Sequence, residues 1–371
     1  MPAKPDNGAT GPAPASVWVV IVVYNSYADT ADCLRSLEAA TWPALHVALV
    51  DNGSADGSGA RLEKEFPKVS FIRSEENLGF AGGCNLGIRE AVDSGAGYVC
   101  LLNNDTLVEP GFLEPLVARA EAEPRVAAVG GKILYDGPGD IIWFAGGEID
   151  RRTGYTTHRG QGLPDSRAFD DPLVVDYVTG CLFLVPAGRF GELGLIDERL
   201  FMYAEELDFC LRARRAGYAC WYEPASVIRH RVSRSMGGAY RPLYYYYWTR
   251  NLLMVYKEHI RAAGGKGEPA RLHLVMRLAR LSWHIAVYQS YIMLRAHRLR
   301  AGRYVAAIWM GFADFLTGRH GRCRYGWLEG RPPGGGAANT TVPGGHPAGA
   351  AADTTVPGGA AAHSDIGGSG S

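Results

Sequence analysis

The chain has 371 residues, 47% hydrophobic and 20% charged, with 38 basic and 38 acidic residues cancelling to zero net charge. That length allows two domains or one domain with additions, and the apolar fraction allows a large core. The charge balance removes the basic footprint of a nucleic-acid binder, and seven scattered cysteines without a Cys-x-x-Cys pair indicate neither a zinc site nor a disulfide framework.

Residues 1–16 are rich in Pro, Ala and Gly with no helical or strand period, and a disordered segment is expected there. Val17–Val23 is an unbroken apolar run, which predicts a strand buried on both faces. It lacks the positive leader and small-residue cleavage site of a signal peptide. Cys33, Leu34 and Leu37 then mark a helix, Val47–Val50 a second strand, 57–66 a helix and Val69–Arg73 a short strand. A glycine-rich stretch from Asn77 to Asn85 leads into a helix ending near Val92, and Tyr98–Leu102 is another apolar strand. Strands and helices alternating through short links predict a parallel α/β half of nucleotide-binding type.

Beyond a helix at 112–122 the pattern changes. Val126–Leu134, Ile141–Ile149, Leu173–Val178 and Cys181–Val185 read as strands separated by Gly, Pro and Asp. Few helices intervene, so the sheet should continue in mixed or antiparallel fashion. A helix over Glu205–Ala216 precedes strands at Tyr218–Tyr222 and Ser226–His230. From Tyr240 the chain turns helical, with an aromatic cluster at Tyr244–Trp248. Residues 270–313 hold seven arginines and no acid around the apolar run Trp283–Leu294. Such helices suit an anionic membrane surface, or pack on the rest of the protein with a solvated basic face. No window reaches the roughly 18 to 20 apolar residues of a bilayer span. A cytoplasmic protein with reduced thiols, peripheral to the inner face of the membrane, is expected. Beyond about Gly330 the chain is Gly, Ala, Pro and Thr, a low-complexity tail that cannot bury a core.

Three strand ends carry polar clusters: Tyr24-Asn25, Asp51-Asn52 and Asn103-Asn104-Asp105. In an open parallel sheet ligands sit beyond such carboxyl ends. A carboxylate there suits a hard cation, since Mg²⁺ is usually held by one or two carboxylates plus substrate phosphate oxygens. Asp105 could equally cap the helix that follows or make a turn. No Gly-Lys-Ser/Thr phosphate loop, Gly-x-Gly-x-x-Gly or Gly-x-Ser-x-Gly motif occurs. On the later helix, Leu207, Cys210 and Leu211 share one face, Glu205, Asp208 and Arg212 the opposite one, and Glu206 lies near the border. Asp208 and Arg212, four apart, are expected to pair. A strand-end histidine at 230 completes the candidates.

In this order the motifs resemble the bacterial family-two glycosyltransferases of GT-A fold, and among them the rhamnosyltransferase-like group. The matching stretches run from Val22-Val23-Tyr24-Asn25 through Asp51–Gly57, Asn77–Gly87 and Leu101–Asp105 to Gly194–Glu198, Met202–Asp208 and Tyr247–Asn251. The resemblance implies a mixed, Rossmann-like α/β sheet flanked by helices, with a C-terminal helical extension. It divides the chain into a catalytic domain at 17–238, with a nucleotide-binding half to about 105 and an acceptor half at 106–238. The extension then covers 239–325, and a disordered tail 326–371. It further implies that Asp51 bonds a pyrimidine base beside Val23, Tyr24 and Asn25, and that Asn77, Gly82, Gly83, Asn85, Asn103 and Asn104 line the nucleotide sugar. Asp105 ends the family's Asp-x-Asp metal motif, with Asn103 in the first acid's place, and His230 can complete a site for Mg²⁺ or Mn²⁺. The catalytic carboxylates fall at Glu205, Glu206 and Asp208, with Glu206 standing where the family's base is normally Asp. The implied reaction is inverting transfer from a nucleoside-diphosphate sugar to a glycan or lipid-linked acceptor. The implied donor is dTDP-L-rhamnose; UDP-hexose or UDP-N-acetylhexosamine donors and silent nucleotide-sugar binding are the other readings.

Overall fold

In the computed structural model of the protein, residues 14–150, 154–232, 242–263, 276, 278–288, 290, 291, 294 and 301–328 are described. Of the segments expected to be disordered, 1–16 and 326–371, residues 1–13 and 329–371 lie outside them.

Four strands form the first half: β1 (Val17–Val23), β2 (Leu45–Asn52), β3 (Ser70–Ser74) and β4 (Tyr98–Leu102). They pair in parallel in the order β3-β2-β1-β4. Parallel neighbours need crossovers, supplied by the helices α1 (Tyr27–Glu38), α2 (Ser58–Glu65) and α3 (Gly79–Asp93). Helices therefore cover both faces of β1, which is why its sequence shows no polar alternation.

The stretch expected as a glycine-rich loop is the beginning of α3 itself. Gly79 starts the helix at φ +77°, and a Cβ there would lie 2.3 Å from the Phe201 carbonyl oxygen. Farther along, a Cβ on Gly83 would lie 2.7 Å from Val22 Cγ1, and one on Gly87 2.3 Å from Val20 Cγ1. These glycines let α3 lie close on β1. Gly87→Ala should therefore destabilise the fold by about 1–3 kcal/mol through overpacking, read as a lowered midpoint in urea unfolding.

The second half adds β5 (Thr106–Val108), α4 (Leu113–Ala122), β6 (Val126–Tyr135), β7 (Ile142–Phe144), β8 (Gly147–Ile149), β9 (Thr156–His158), β10 (Leu173–Val175), β11 (Leu182–Pro186), α5 (Gly188–Leu193), α6 (Glu205–Arg215) and β12 (Ala219–His230). The sheet continues from β4 as β11-β6-β12-β10. β11 runs antiparallel to both neighbours, β12 parallel to β6, and β10 antiparallel to β12. This is the mixed continuation that the sequence led us to expect. The expected strand Ile141–Ile149 is broken where Gly146 takes φ +112°: β7 stays on β6, while β8 leaves to pair with β9. The two expected strands at 218–230 are one, with a register shift between Glu223 and Val227 that accommodates Pro224.

The extension contains α7 (Pro242–Ala263), a π-helical turn His284–Tyr288 and α8 (Ala301–Leu316). Tyr245, Tyr246 and Tyr247 of α7 pack with Phe201, Ala307 and Ile308 in a second apolar cluster. Catalytic region and extension do not separate into two compact units. Exposed large apolar side chains gather in the extension, with Trp283 70% exposed and Tyr291, Leu294, Trp309 and Leu316 also open. Among the described residues no helix is long and apolar enough to cross a membrane.

Candidate active site

Because β1, β2, β4 and β12 point the same way, their carboxyl ends share one edge of the sheet. Val23 ends β1 directly opposite Asp51 on β2. Beyond it Tyr24 is 40% exposed and Asn25 takes φ +52°. Asn25 is tied to the β2 end by its amide donating to Ser54 Oγ (3.0 Å) and its Oδ1 accepting from Ala55 N (2.8 Å). Asp51 is buried, accepts from Ser54 N at 3.0 Å and lies 3.9 Å from Arg73 Nε. Asn77 sits beside this group, its Oδ1 accepting from Gly79 N (2.8 Å) and Asn52 Nδ2 (3.3 Å). These side chains form a cradle stitched by its own hydrogen bonds.

The expected nucleotide-lining role of Gly82, Gly83 and Asn85 is not what their contacts describe. A Cβ on Gly82 would meet Leu78 and one on Gly83 would meet Val22 of β1, and both positions are buried. Asn85 donates to the Ile196 carbonyl (2.9 Å) and Glu198 Oε1 (2.8 Å) and accepts from Ile196 N (3.1 Å). It straps the 196–198 segment to α3.

At the end of β4, Asn103 donates its amide to Cys181 O (3.2 Å), and Asn104 Nδ2 donates to Thr30 Oγ1 (2.8 Å). Asp105 is 3% exposed, and its Oδ1 stands 3.1 Å from His230 Nε2. β5 pairs with β12 so that His230 faces Thr106, which is what brings residues 125 positions apart into contact. Two ligand atoms at right angles on one Mg²⁺ or Mn²⁺ would be about 3 Å apart, so the pair fits neighbouring positions around one ion. A carboxylate and an imidazole are too few alone. Among the described residues no three His, Cys, Asp or Glu side chains gather to hold a metal, so the remaining ligands would have to come from substrate oxygens and water.

Glu205 and Glu206 open α6 at the same edge. Burial raises Glu206 from 4.5 to about 7, while its own amide and that of Gly180, just before β11, pull it partly back. Glu205 is buried deeper, with Oε2 lacking a partner among the described residues. Burial, and then the charge of Glu206, hold its carboxyl well above the usual range. The helix face that seemed polar in sequence is thus partly interior, with the charges of Glu205 and Glu206 felt at Cys84 on α3. Two residues link the acids to Asp105. Burial pushes the Cys181 thiol up, and the charges of both Asp105 and Glu206 add to that push. The Tyr203 hydroxyl is likewise raised by burial and then by Glu205 and Asp105. Asp105 and the Glu pair thus both lie within electrostatic range of Cys181 and Tyr203. Asp208 is engaged otherwise, paired with Arg212 Nε at 2.8 Å as expected, and with His259 Nε2 at 2.9 Å.

Sequence reasoning missed an aromatic wall beside His230. The half-buried Trp143 ring meets His230 edge-on at 4.5 Å and His158 at 4.7 Å, and Tyr177 lies beyond, its hydroxyl raised by burial and by Glu206. Burial lowers His158 to about 4, so it stays neutral. These residues come from β7, β9 and the turn after β10, and no spacing signal joins them. A cavity of about 590 Å³ lined by Arg159, Val174, Asp176, Arg214 and Cys220 includes none of the strand-end residues.

A family model, "Glycosyl transferase family 2", matches residues 18–181. The N-acetylglucosaminyl-diphospho-decaprenol L-rhamnosyltransferase of Mycobacterium tuberculosis is 29% identical over 242 residues, covering 59% of this chain and 77% of that protein. Among solved structures, the mannosyltransferase PcManGT from Pyrobaculum calidifontis, in complex with GDP-Man and Mn²⁺, superposes with TM-score 0.52 at 16% identity. It covers 82% of this chain and 88% of its own. GalNAc-T7 with UDP, GalNAc and Mn²⁺ gives 0.52 at 17% identity, over 77% of this chain and 59% of that one. The sheet order, the strand-end cradle and these likenesses agree: residues 18–181 match glycosyl transferase family 2, the chain has the GT-A fold, and it resembles the rhamnosyltransferases.

Proposed function

We propose that the protein is an inverting sugar transferase that moves L-rhamnose from dTDP-L-rhamnose to a hydroxyl of a polysaccharide or lipid-linked glycan. The observation that carries this reading is that Asp105, held against His230, and the Glu205–Glu206 pair lie at the same edge of the sheet, with Cys181 and Tyr203 each within electrostatic range of both. The Mycobacterium relative, whose name gives an L-rhamnosyl donor group and a lipid diphosphate acceptor, supports the choice of sugar and acceptor.

In this reading Asp51, Asn25 and Asn77 seat the nucleoside, and Asn103 and Asn104 the sugar end. Glu205, kept neutral by burial, leaves Glu206 as the only member of the pair charged near neutrality. Glu206 takes the proton of the acceptor hydroxyl as its oxygen bonds to the anomeric carbon. The carbon–oxygen bond to phosphate breaks from the opposite face, and the nucleoside diphosphate departs with the electron pair. Mg²⁺ or Mn²⁺, held by Asp105, His230 and the diphosphate, would offset the charge on that leaving group. The exposed aromatic residues of the extension, with its arginines, support seating at the cytoplasmic membrane face, where a lipid-linked acceptor would lie.

Thermal unfolding with a panel of nucleotide sugars and Mn²⁺ tests the donor. dTDP-L-rhamnose should raise the melting temperature most, as preferential binding to the folded state requires. Stronger protection by a UDP-hexose or UDP-N-acetylhexosamine would replace it.

A further inference from the structure

The segment between β11 and α6 reaches the catalytic helix in an unfavourable backbone shape. Phe201, Tyr203 and Ala204 take φ of +66°, +69° and +69°, and none is glycine. Left-handed residues with side chains persist only where their surroundings over-determine them. Here the surroundings come from α7. Asn251 Nδ2 donates to three carbonyls of this one segment, Leu200 (2.8 Å), Met202 (2.7 Å) and Tyr203 (2.8 Å). Arg250 Nη2 donates to Leu200 O at 3.0 Å, and its Nη1 to Gly321 O at 2.7 Å. Its Nε donates to Asn251 Oδ1 at 2.9 Å, so the two side chains orient each other. Gly321 in turn donates its amide to Arg199 O at 2.7 Å, and the Tyr247 ring stacks on Phe201. On the opposite side the Phe201 carbonyl accepts from Ala81 N of α3 at 3.1 Å.

Arg250 and Asn251 are both 0% exposed, and among the described residues no carboxylate pairs with the guanidinium. A buried charge of this kind is expensive, and apolar residues of similar volume would commonly serve the fold as well or better. What apolar residues cannot do is hold four carbonyl oxygens, those of Leu200, Met202, Tyr203 and Gly321, in fixed directions. That job falls at the last turn before Glu205 and Glu206.

We propose that Arg250 and Asn251 are positioning residues for the transfer reaction: they hold 200–204 in its left-handed shape and so fix the direction in which α6 presents Glu206. The extension is thereby part of the catalytic apparatus. The inference rests on the reading of Glu206 as the base.

Asn251→Asp is nearly isosteric and keeps an acceptor for Arg250 Nε, but it sets a carboxylate against three carbonyls. Turnover of dTDP-L-rhamnose with N-acetylglucosaminyl-diphospho-decaprenol should fall by about tenfold or more, because the loss lies in transition-state alignment. Affinity for dTDP with Mn²⁺ should stay within about twofold, and the acidic limb of the kcat–pH profile should move away from its wild-type position near pH 7. Adding Ala204→Gly should recover at least about threefold of the loss, since glycine adopts positive φ without strain. A kcat near wild type, a parallel loss of dTDP affinity with an unmoved limb, or no recovery by Ala204→Gly would each overturn the proposal. Should Asn251→Asp not fold, Arg250→Lys keeps the charge, gives up the forked contact to Leu200 and Gly321, and carries the same expectations. If Glu206→Gln is inactive while Asn251→Asp is normal, only the clamp fails. If Glu206→Gln turns over normally, the base assignment and the clamp fall together.

Discussion

Glu206→Gln should lower sugar transfer by about 10² to 10⁴-fold, the range a general base contributes, with dTDP binding in the presence of Mn²⁺ unchanged. The substitution keeps shape and hydrogen-bonding reach but removes the site for the acceptor's proton. The same group sets the pH dependence. A base must be ionised, and burial places Glu206 at about 7, so kcat should climb as pH rises through neutrality and reach a plateau above it. In Glu206→Gln the residual rate should lack that limb. Stability should run the other way. With the folded-state value raised from 4.5 to about 7, the folded chain binds this proton more tightly than the unfolded chain. The resulting stabilisation is full below about pH 4.5 and is lost as pH climbs through 7. Transfer at wild-type rate in Glu206→Gln would place the base elsewhere.

Asp105→Ala should abolish metal-dependent donor binding. In the proposed site Asp105 would supply the only protein oxygen, and the His230 ring nitrogen alone is a poor match for a hard ion that favours oxygen. Titration calorimetry with dTDP should show wild-type affinity increased by Mn²⁺, and an affinity in Asp105→Ala that no longer responds to the ion. Charge-assisted contacts of this kind typically carry several kcal/mol, so the expected loss is about 10²-fold or more. An Mn²⁺ response equal to wild type would remove Asp105 from the metal site. The two variants separate binding from chemistry.

Much of this was legible in the residues. Val17–Val23 and Tyr98–Leu102 declared themselves as buried strands because helices on both faces leave no place for polar alternation. The polar residues directly after them had to lie at one edge once the strands were parallel. The Asp208–Arg212 pair followed from helical spacing alone. What was not legible depends on partners distant in sequence. A helical wheel put Glu205 on a polar face, since it carries no information about what buries the first turn of α6. The glycines from 79 to 87 looked like a loop because close packing on Val20 and Val22 leaves the same sequence mark as a turn. Gly146 breaks a strand pattern through a φ that local sequence does not announce. Trp143, His158 and Tyr177 converge from three separate elements, and Arg250-Asn251, though quoted as a motif, had no visible target until Leu200–Tyr203 lay beside it.

The second apolar cluster, in which Tyr245, Tyr246 and Tyr247 seat Phe201 against Ala307 and Ile308, bears on how such transferases diversify. A tail that served only as an anchor could be exchanged freely between relatives, as a membrane tether can. Here the tyrosines of α7 and the segment ahead of α6 form one interlocked surface, so the two must be inherited together. A chimera joined near residue 240 would pair a foreign extension with a segment at 200–204 that it does not match. Acceptor preference, if the tail helps set it, would then change only through coordinated substitutions on both sides of that seam.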